Sequence, residues 1–392
     1  MAGEQESILH LGVAGLGRAF SVMLPTLAQH PRVKLVAAAD LRTDALARFA
    51  REFSARCYGS VEALCSDPAV QAVYVATPHQ YHSEHAMLAA RHGKHLLIEK
   101  PMALTVAECH SIIETARHFG VQIVVGHSHS FDGPVQRVRA LIENGEFGQV
   151  CMINALNYTD YLYRPRRPEE LDTASGGGAI FNQAAHQVDI VRLIAGAPVA
   201  SVRAMTGAWD RERPTEGAYA CVLTFTTGVF ASLVYGGYGH FDSDEFEGWI
   251  GEMGQKKQGY AGVPPPAFKS RTDEIAFKND RNYGGSQFSL PSSFPAAHQH
   301  FGTLLVSCER ADLRPVPTGV MVYQRGTATL DPLPPPRIPR GAVIDELYDA
   351  AVNGKTAFHD GAWGMATLEV LLAMLQSARS GLEVRLANRP LR

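Results

Sequence analysis

The sequence predicts an α/β protein of two parts. A doubly wound parallel sheet spans residues 1–130, and an α+β domain with an open, mainly antiparallel sheet spans residues 131–392. Three observations predict this. The first third alternates short, continuously apolar runs with helical patterns, as strands do when helices cover both faces of a parallel sheet. After residue 130 the strand candidates follow one another locally, and helices gather at one end. A length of 392 residues with 46% hydrophobic residues suits two cores better than one.

The elements follow in order. "ILHLGVA" (8–14) reads as the first strand and Arg18 to His30 as the first helix. "VKLVAAA" (33–39), "VQAVYVAT" (70–77), "HLLIEK" (95–100) and "VQIVVGH" (121–127) read as further strands. Helices fit from near Thr43, at 81–92 and at 105–119. A helix at 132–144 leads to the strand "QVCMINALNY" (149–158), then to a glycine-led helix, "GGGAIFNQAAHQVD" (176–189). Strand candidates follow at 201–207, 219–226 and 229–236, the last two flanking a "TTG" turn in which Gly228 permits positive φ. Residues 252–297 are rich in Gly, Pro, Lys and Asp and read as a long excursion or lid. Strand-like pieces at 303–308 and 318–324 precede closing helices at 340–353 and 361–379.

Composition excludes several classes. Net charge is -3, and the short basic run Arg164, Arg166, Arg167 does not make a nucleic-acid surface. "MAGEQES" lacks the basic start and apolar core of a signal peptide, and no apolar run reaches the ~18 residues of a membrane helix. The six cysteines (Cys57, Cys65, Cys109, Cys151, Cys221, Cys308) form no C-x-x-C pair, which fits a reducing cytoplasm and gives no zinc signature. The pairs His82/His85 and His127/His129 have metal-like spacing without acid or thiol partners evident in the pattern, so no metal is expected.

"GVAGLGRAF" stands where the first strand meets the first helix. Gly15, Leu16, Gly17 and Arg18 give the turn of a Rossmann dinucleotide site, in which backbone approaches a pyrophosphate at a helix N-terminus. The third glycine of G-x-G-x-x-G is replaced by Phe20, whose ring must push the helix outward or point away from the sheet. Asp40 follows Phe20 by twenty positions at the end of the next strand, the place of a carboxylate on the adenosine ribose. An acid there favours NAD over NADP, while Arg42 offers a guanidinium for adenine or for a 2′-phosphate. A plain glycine turn and a surface Asp are the bland alternative.

Residues 75–105, "VATPHQYHSEHAMLAARHGKHLLIEKPMALT", carry a Thr-Pro corner, a helix and "GKHLLIEKP". With the glycine-led helix ending in H-x-x-D, this resembles the Gfo/Idh/MocA family of oxidoreductases. "SFDGPVQRVRALIENGEFGQV" (130–150) is similar to that family's passage between domains, with Ser130 where an Arg is frequent. The resemblance implies a Rossmann domain, an open antiparallel α/β domain and a catalytic site between them. It makes Lys100 the catalytic lysine, shaped by Pro101, and His186 the catalytic histidine, with Asn182 where the family often has Asp. Thr77, Pro78, His79, His82 and Glu99 are expected to join Lys100 along the cofactor.

Hydride transfer from C–OH leaves a proton for a base and an oxygen for a donor. Lys100 follows an apolar run, where desolvation lowers an ammonium pKa. Asn182 and His186 are four apart, hence neighbours on a helix face. Taken alone, His186 reads as a satisfied core histidine; with Lys100 and the nucleotide turn it reads as a proton carrier. Asn182 carries no proton and serves to position. Asp189 faces elsewhere and suits Arg192. Glycines 176–178 leave room for substrate and cofactor at a positive helix end.

"YLYRPRRPEELD" (161–172) places Arg164, Arg166 and Arg167 beside those glycines. Arginines held there suit an acidic substrate; pairing with Glu169 or Glu170 in a solvated loop is the alternative. The segment resembles the phthalate cis-4,5-dihydrodiol dehydrogenase branch of the family. That branch implies hydride loss from a ring C–OH of a carboxylated cis-dihydrodiol, with aromatisation to a catechol such as 4,5-dihydroxyphthalate. A sugar or inositol dehydrogenase, an NAD-dependent glycoside hydrolase and a non-catalytic dinucleotide sensor are competing readings. The open sheet face predicts a homo-oligomer, dimer or tetramer.

Overall fold

In the computed structural model, which describes residues 7–261, 268–291 and 293–387, the chain divides into two units. The first comprises 1–127, 269–294 and 338–368, the second 128–268, 295–337 and 369–392. The division expected at 130/131 therefore differs in one respect, since two later segments pack with the first unit.

Strands β1 (Leu9–Ala14), β2 (Val33–Ala39), β3 (Arg56–Tyr58), β4 (Ala72–Val75), β5 (His95–Ile98) and β6 (Ile123–Val125) form a sheet in the order β3-β2-β1-β4-β5-β6. Every neighbouring pair is parallel. Strand order reverses between β1 and β4, and in such sheets ligands bind beyond the C-terminal strand ends at that point. Leu11, Val13, Val73, Val75, Leu97 and Ile98 are fully buried, which accounts for the unbroken apolar runs. The helix Val106–Phe119 shows why local sequence suffices for the rest. Thr105 Oγ1 accepts the Glu108 N–H, Glu108 Oε2 accepts the Thr105 N–H, and Gly120 ends the helix at φ 67°.

The returning segments have identifiable anchors. Tyr283 packs edge-on against Phe20 at 5.1 Å and its N–H donates to Ser21 Oγ. Asp345 pairs with Arg32 at 2.8 Å, and the Val125 N–H donates to the His359 carbonyl. The helix Arg271–Asp280 lies within the excursion read as a lid; residues 262–267 and 292 of that stretch are outside the described residues.

The second unit holds β7 (Val150–Tyr158), β8 (Val199–Gly207), β9 (Ala218–Phe225), β10 (Phe230–Gly236), β11 (Thr303–Cys308), β12 (Asp312–Val316), β13 (Gly319–Gln324), β14 (Thr327–Pro332) and β15 (Val384–Arg385). They form one sheet, β14-β13-β12-β11-β7-β10-β9-β8-β15, in which β7 and β10 pair in parallel and the other neighbours are antiparallel. The helices Gly133–Glu143 and Ala185–Ala195 pack on β12, β13 and β7. Met205, Val222, Phe230 and Leu330 stand exposed on strands of the same sheet. Among the described residues no helix is long and apolar enough to cross a membrane, and all six cysteines are free thiols.

Candidate active site

The nucleotide turn in the first unit is built around two glycines with different reasons. Gly15 has φ 94°, and a Cβ there would lie 2.8 Å from the Ala76 carbonyl oxygen, so the fold itself requires glycine. At Gly17 an added Cβ would meet no protein atom within 4 Å. The helix Arg18–Gln29 that follows has no side-chain cap on its first N–H groups. An open approach to uncapped amides is the cradle a pyrophosphate fits. Arg18 is exposed at the same turn, and Leu16 is buried beneath it.

Asp40 braces this turn. Its Oδ2 accepts the Leu16 N–H at 2.6 Å and its Oδ1 accepts the Arg42 N–H at 2.8 Å. The Arg42 guanidinium donates to the Leu16 and Tyr283 carbonyls at 2.8 and 2.9 Å. Both bonds use Nη2; Nε lies 3.5 Å from Asp40 Oδ1, and Nη1 is buried with no hydrogen-bond partner among the described residues. Phe20 resolves its two alternatives by turning toward Phe49 and Tyr283, fully buried between them.

Lys100 follows β5, in a half-buried position at the C-terminal edge of the sheet. Two neighbours expected along the cofactor serve other ends. Glu99 is buried and its carboxyl meets the Tyr74 hydroxyl inside the unit; burial pushes its pKa up, against the Lys100 charge. His82 is fully buried, with Nδ1 2.8 Å from the Pro101 carbonyl and Nε2 2.8 Å from the Thr77 carbonyl. Burial lowers its pKa despite both contacts. His82 thus clamps the Thr77–Pro78 corner to the Lys100–Pro101 turn and positions both, rather than touching a ligand. Thr77 Oγ1 meets His85 Nδ1 at 3.0 Å, and His79 remains half-buried above His82.

In the second unit the glycine-led helix begins as a π-turn, Ile180–Ala184, before continuing as an α-helix over Ala185–Ala195. Single π-turns of this kind are frequent at functional sites. The glycines answer to the chain's own packing. A Cβ at Gly177 would lie 2.6 Å from the Glu170 carbonyl, and Gly178, at φ 79°, would place one 2.2 Å from Glu216 Oε1. Glu216 is buried, accepts the Ile180 N–H, and meets Thr173 Oγ1; burial raises its pKa. Gly177 and Gly178 are therefore required by the chain's own packing, independently of any ligand. Asn182 Nδ2 donates to the Gly178 and Gly176 carbonyls at 2.9 and 3.3 Å, so its amide secures that turn.

His186 is 8% exposed, with Nδ1 3.5 Å from Ser128 Oγ. Its ring stands against two others. Phe301 and His129 each have their centroid 4.8 Å away. His129 is fully buried, with Nδ1 2.6 Å from Asp132 Oδ2 and Nε2 3.5 Å from Glu252 Oε1. Burial alone would depress the His129 pKa; the Asp132 and Glu252 carboxylates outweigh it and hold it at about 9. The two carboxylates thus favour the protonated form of the His129 ring. Asp132 is an acid partner that the H-x-H spacing does not reveal. Asp189 is buried beside Arg192, whose charge it favours, while burial lowers the Arg192 pKa to about 10.

Each arginine of the 161–172 loop is engaged by an acid of its own loop. Arg164 Nε pairs with Asp160 at 2.8 Å, Arg167 Nε with Glu169 at 3.0 Å, and Arg166 with Glu170 at 3.9 Å. Arg166 also lies 3.9 Å over the Tyr161 ring. The alternative of local pairing describes all three. Arg164 reaches further: burial opposes its charge, but Asp160, then Glu252, hold its pKa up.

The residues that sequence reasoning missed are Glu216, Asp132 and Glu252; His129 stands out in the sequence at the end of a strand candidate and by its spacing from His127. Only the His129–Asp132 spacing of three was open to inspection; the others are contacts between distant segments.

Comparison with known proteins matches this architecture. Residues 9–127 match the family profile described as oxidoreductase family, NAD-binding Rossmann fold, and 135–247 match the GFO/IDH/MocA C-terminal domain. The chain is 43% identical over 381 residues to 1-carboxy-3-chloro-3,4-dihydroxycyclo hexa-1,5-diene dehydrogenase of Comamonas testosteroni, covering 95% of each chain. It is 30% identical over 177 residues to trans-1,2-dihydrobenzene-1,2-diol dehydrogenase of Xenopus tropicalis, covering 45% of this chain and 52% of that one. A crystal structure from Bordetella bronchiseptica RB50 is similar at TM-score 0.88 and 40% identity, covering 96% of this chain and all of the other. With an NAD-binding first unit and the matching C-terminal domain, the chain belongs to the Gfo/Idh/MocA family of NAD(P)-dependent oxidoreductases.

Proposed function

We propose that this chain oxidises a carboxylated cyclic cis-dihydrodiol, with NAD as the hydride acceptor. The observation that carries the reading is the 43% identity, over 95% of both chains, to a dehydrogenase whose name specifies a carboxylated dihydroxycyclohexadiene. Bound NAD supplies the nicotinamide ring that takes the hydride from the ring C–OH. The remaining work falls to side chains. Lys100 and His186 handle the hydroxyl proton, and Asn182 holds the helix turn that carries His186. The resulting dienone gains aromatic stabilisation on tautomerising to a catechol, so modest base catalysis suffices, and an amide at 182 is tolerated where a carboxylate is frequent.

NAD is preferred to NADP, because Asp40 stands at the ribose position, where its negative charge repels a 2′-phosphate. The exposed Met205, Val222, Phe230 and Leu330 on one sheet favour a homo-oligomer, and six free thiols suit a reducing cytoplasm. The test is absorbance at the reduced-nicotinamide band with carboxylated cis-dihydrodiols, inositols and aldoses offered in turn. Turnover of carboxylated dihydrodiols supports the reading; turnover of inositols or aldoses alone overturns it.

A further inference from the structure

The buried charges around His129 are not explained by holding His186 in place. An imidazolium with no exposure needs one carboxylate for neutrality, and Asp132 supplies it at 2.6 Å from three residues away. The second carboxylate, Glu252, is different in kind. It sits at the tip of a small hairpin closed by the Ile250–Lys256 bridge, is 30% exposed, and reaches His129 Nε2 at 3.5 Å. Charge-assisted hydrogen bonds close at about 2.7–2.9 Å, so this contact is a loose one. Glu252 also interacts electrostatically with Arg164. One anion of the chain thus interacts with two cations, one buried in the interior and one on the arginine loop.

We propose that His129 and Arg164 bind the carboxylate of the substrate, and that Glu252 occupies the place of that carboxylate until substrate arrives. This rests on the carboxylated-diol reading and names the residues that select for the acid group. The exchange leaves local charge unchanged, since one carboxylate replaces another. Geometry favours the position. A carboxylate at His129 Nε2 sets the attached ring beside Phe301, whose centroid is 5.0 Å from that of His129 and 4.8 Å from that of His186. The anchor and the proposed proton carrier are then one ring apart, the relation that a carboxyl and a ring hydroxyl have in the substrate. Arg166 and Arg167 pair with Glu170, Glu169 and the Tyr161 ring, whereas Arg164 shares its charge between Asp160, at 2.8 Å, and Glu252.

The experiment compares 1-carboxy-3,4-dihydroxycyclohexa-1,5-diene with cis-1,2-dihydrobenzene-1,2-diol, using full-length wild type, His129→Gln and Glu252→Gln. The readout is the ratio of kcat/KM for the carboxylated over the uncarboxylated diol. In H129Q this ratio falls by roughly tenfold or more, the worth of one charge-assisted hydrogen bond. In E252Q it rises by about threefold, because a competing internal anion has been removed. Calorimetric binding of 3,4-dihydroxybenzoate to the NAD-loaded enzyme moves in the same two directions and needs no turnover. An unchanged ratio and unchanged 3,4-dihydroxybenzoate affinity in H129Q, with NAD binding intact, overturn the proposal. So does a fall of the ratio in E252Q, which would make Glu252 a substrate ligand. If wild type oxidises neither diol, the substrate reading fails, and 3,4-dihydroxybenzoate binding still decides the carboxylate site.

Discussion

The carboxylate of Asp40 accepts the backbone N–H of Leu16 at 2.6 Å, across the turn that carries Gly15 and Gly17. A carboxylate has about four lone-pair sites, and the Leu16 and Arg42 amides take two of them. Capacity for a ribose hydroxyl remains, along with the negative charge that repels a 2′-phosphate. Asp40→Ala removes both, and the ratio of kcat/KM for NAD over NADP is expected to fall by roughly tenfold. A ratio equal to that of wild type would remove Asp40 from coenzyme selection and leave it a brace of the loop.

Lys100 is placed by local packing rather than by its own charge. His82 ties the turn it sits on to the Thr77–Pro78 corner, and the Glu99 carboxyl is drawn inward to Tyr74. Lys100 itself is half-buried at the end of β5, beside the buried Glu99 whose charge its ammonium favours. Lys100→Ala is expected to cut kcat by roughly 10²–10⁴, the usual worth of general acid–base catalysis. NAD affinity, followed by fluorescence titration, is expected to stay within a few-fold of wild type. Near-normal turnover in the variant would show that the proton leaves by another residue.

Phe20 stands where dinucleotide turns often have a third glycine, so restoring glycine is an informative change. The ring is fully buried between Phe49 and Tyr283, with centroids at 5.8 and 5.1 Å. Phe20→Gly empties that space and puts glycine inside a helix, at a cost of about 3–5 kcal/mol for the cavity plus ~1 for the helix. The thermal midpoint is expected to fall, with no gain in NAD affinity. Tighter NAD binding at undiminished stability would mean that Phe20 obstructs the cofactor instead of anchoring the 269–294 segment.

That anchor also marks the limit of what the sequence makes legible. The parallel sheet is readable because β1, β2, β4, β5 and β6 are largely buried and leave apolar runs, broken in β2 by the exposed Lys34. β3, "RCY", is three half-exposed residues with no run to read. The return of Tyr283 to Phe20 joins positions more than 260 apart, and no local pattern announces it. The same holds at the site. Lys100 and His186 carry recognisable surroundings, whereas Glu216 and Glu252 act through contacts made only on folding. The glycines at 177 and 178 were visible, but their reason was not, because the atoms they avoid belong to Glu170 and Glu216.

The His129–Asp132 pair makes stability depend on pH in a direction that can be stated. The His129 pKa in the folded chain is about 9, against about 6.5 for an unperturbed histidine. Below pH 6.5 folded and unfolded chains both hold the proton, and the pair contributes in full. As pH rises toward 9 the unfolded chain has already released its proton while the folded chain retains it, so this contribution is lost through that window. Its size is roughly 3 kcal/mol at most, and Glu252 and the neighbouring His186 ring share in it. Urea midpoints taken at pH 6 and pH 9.5 are expected to drop more steeply for wild type than for His129→Gln. An identical pH dependence in the two proteins would mean that His129 is neutral when folded, and that Asp132 holds it by an ordinary hydrogen bond.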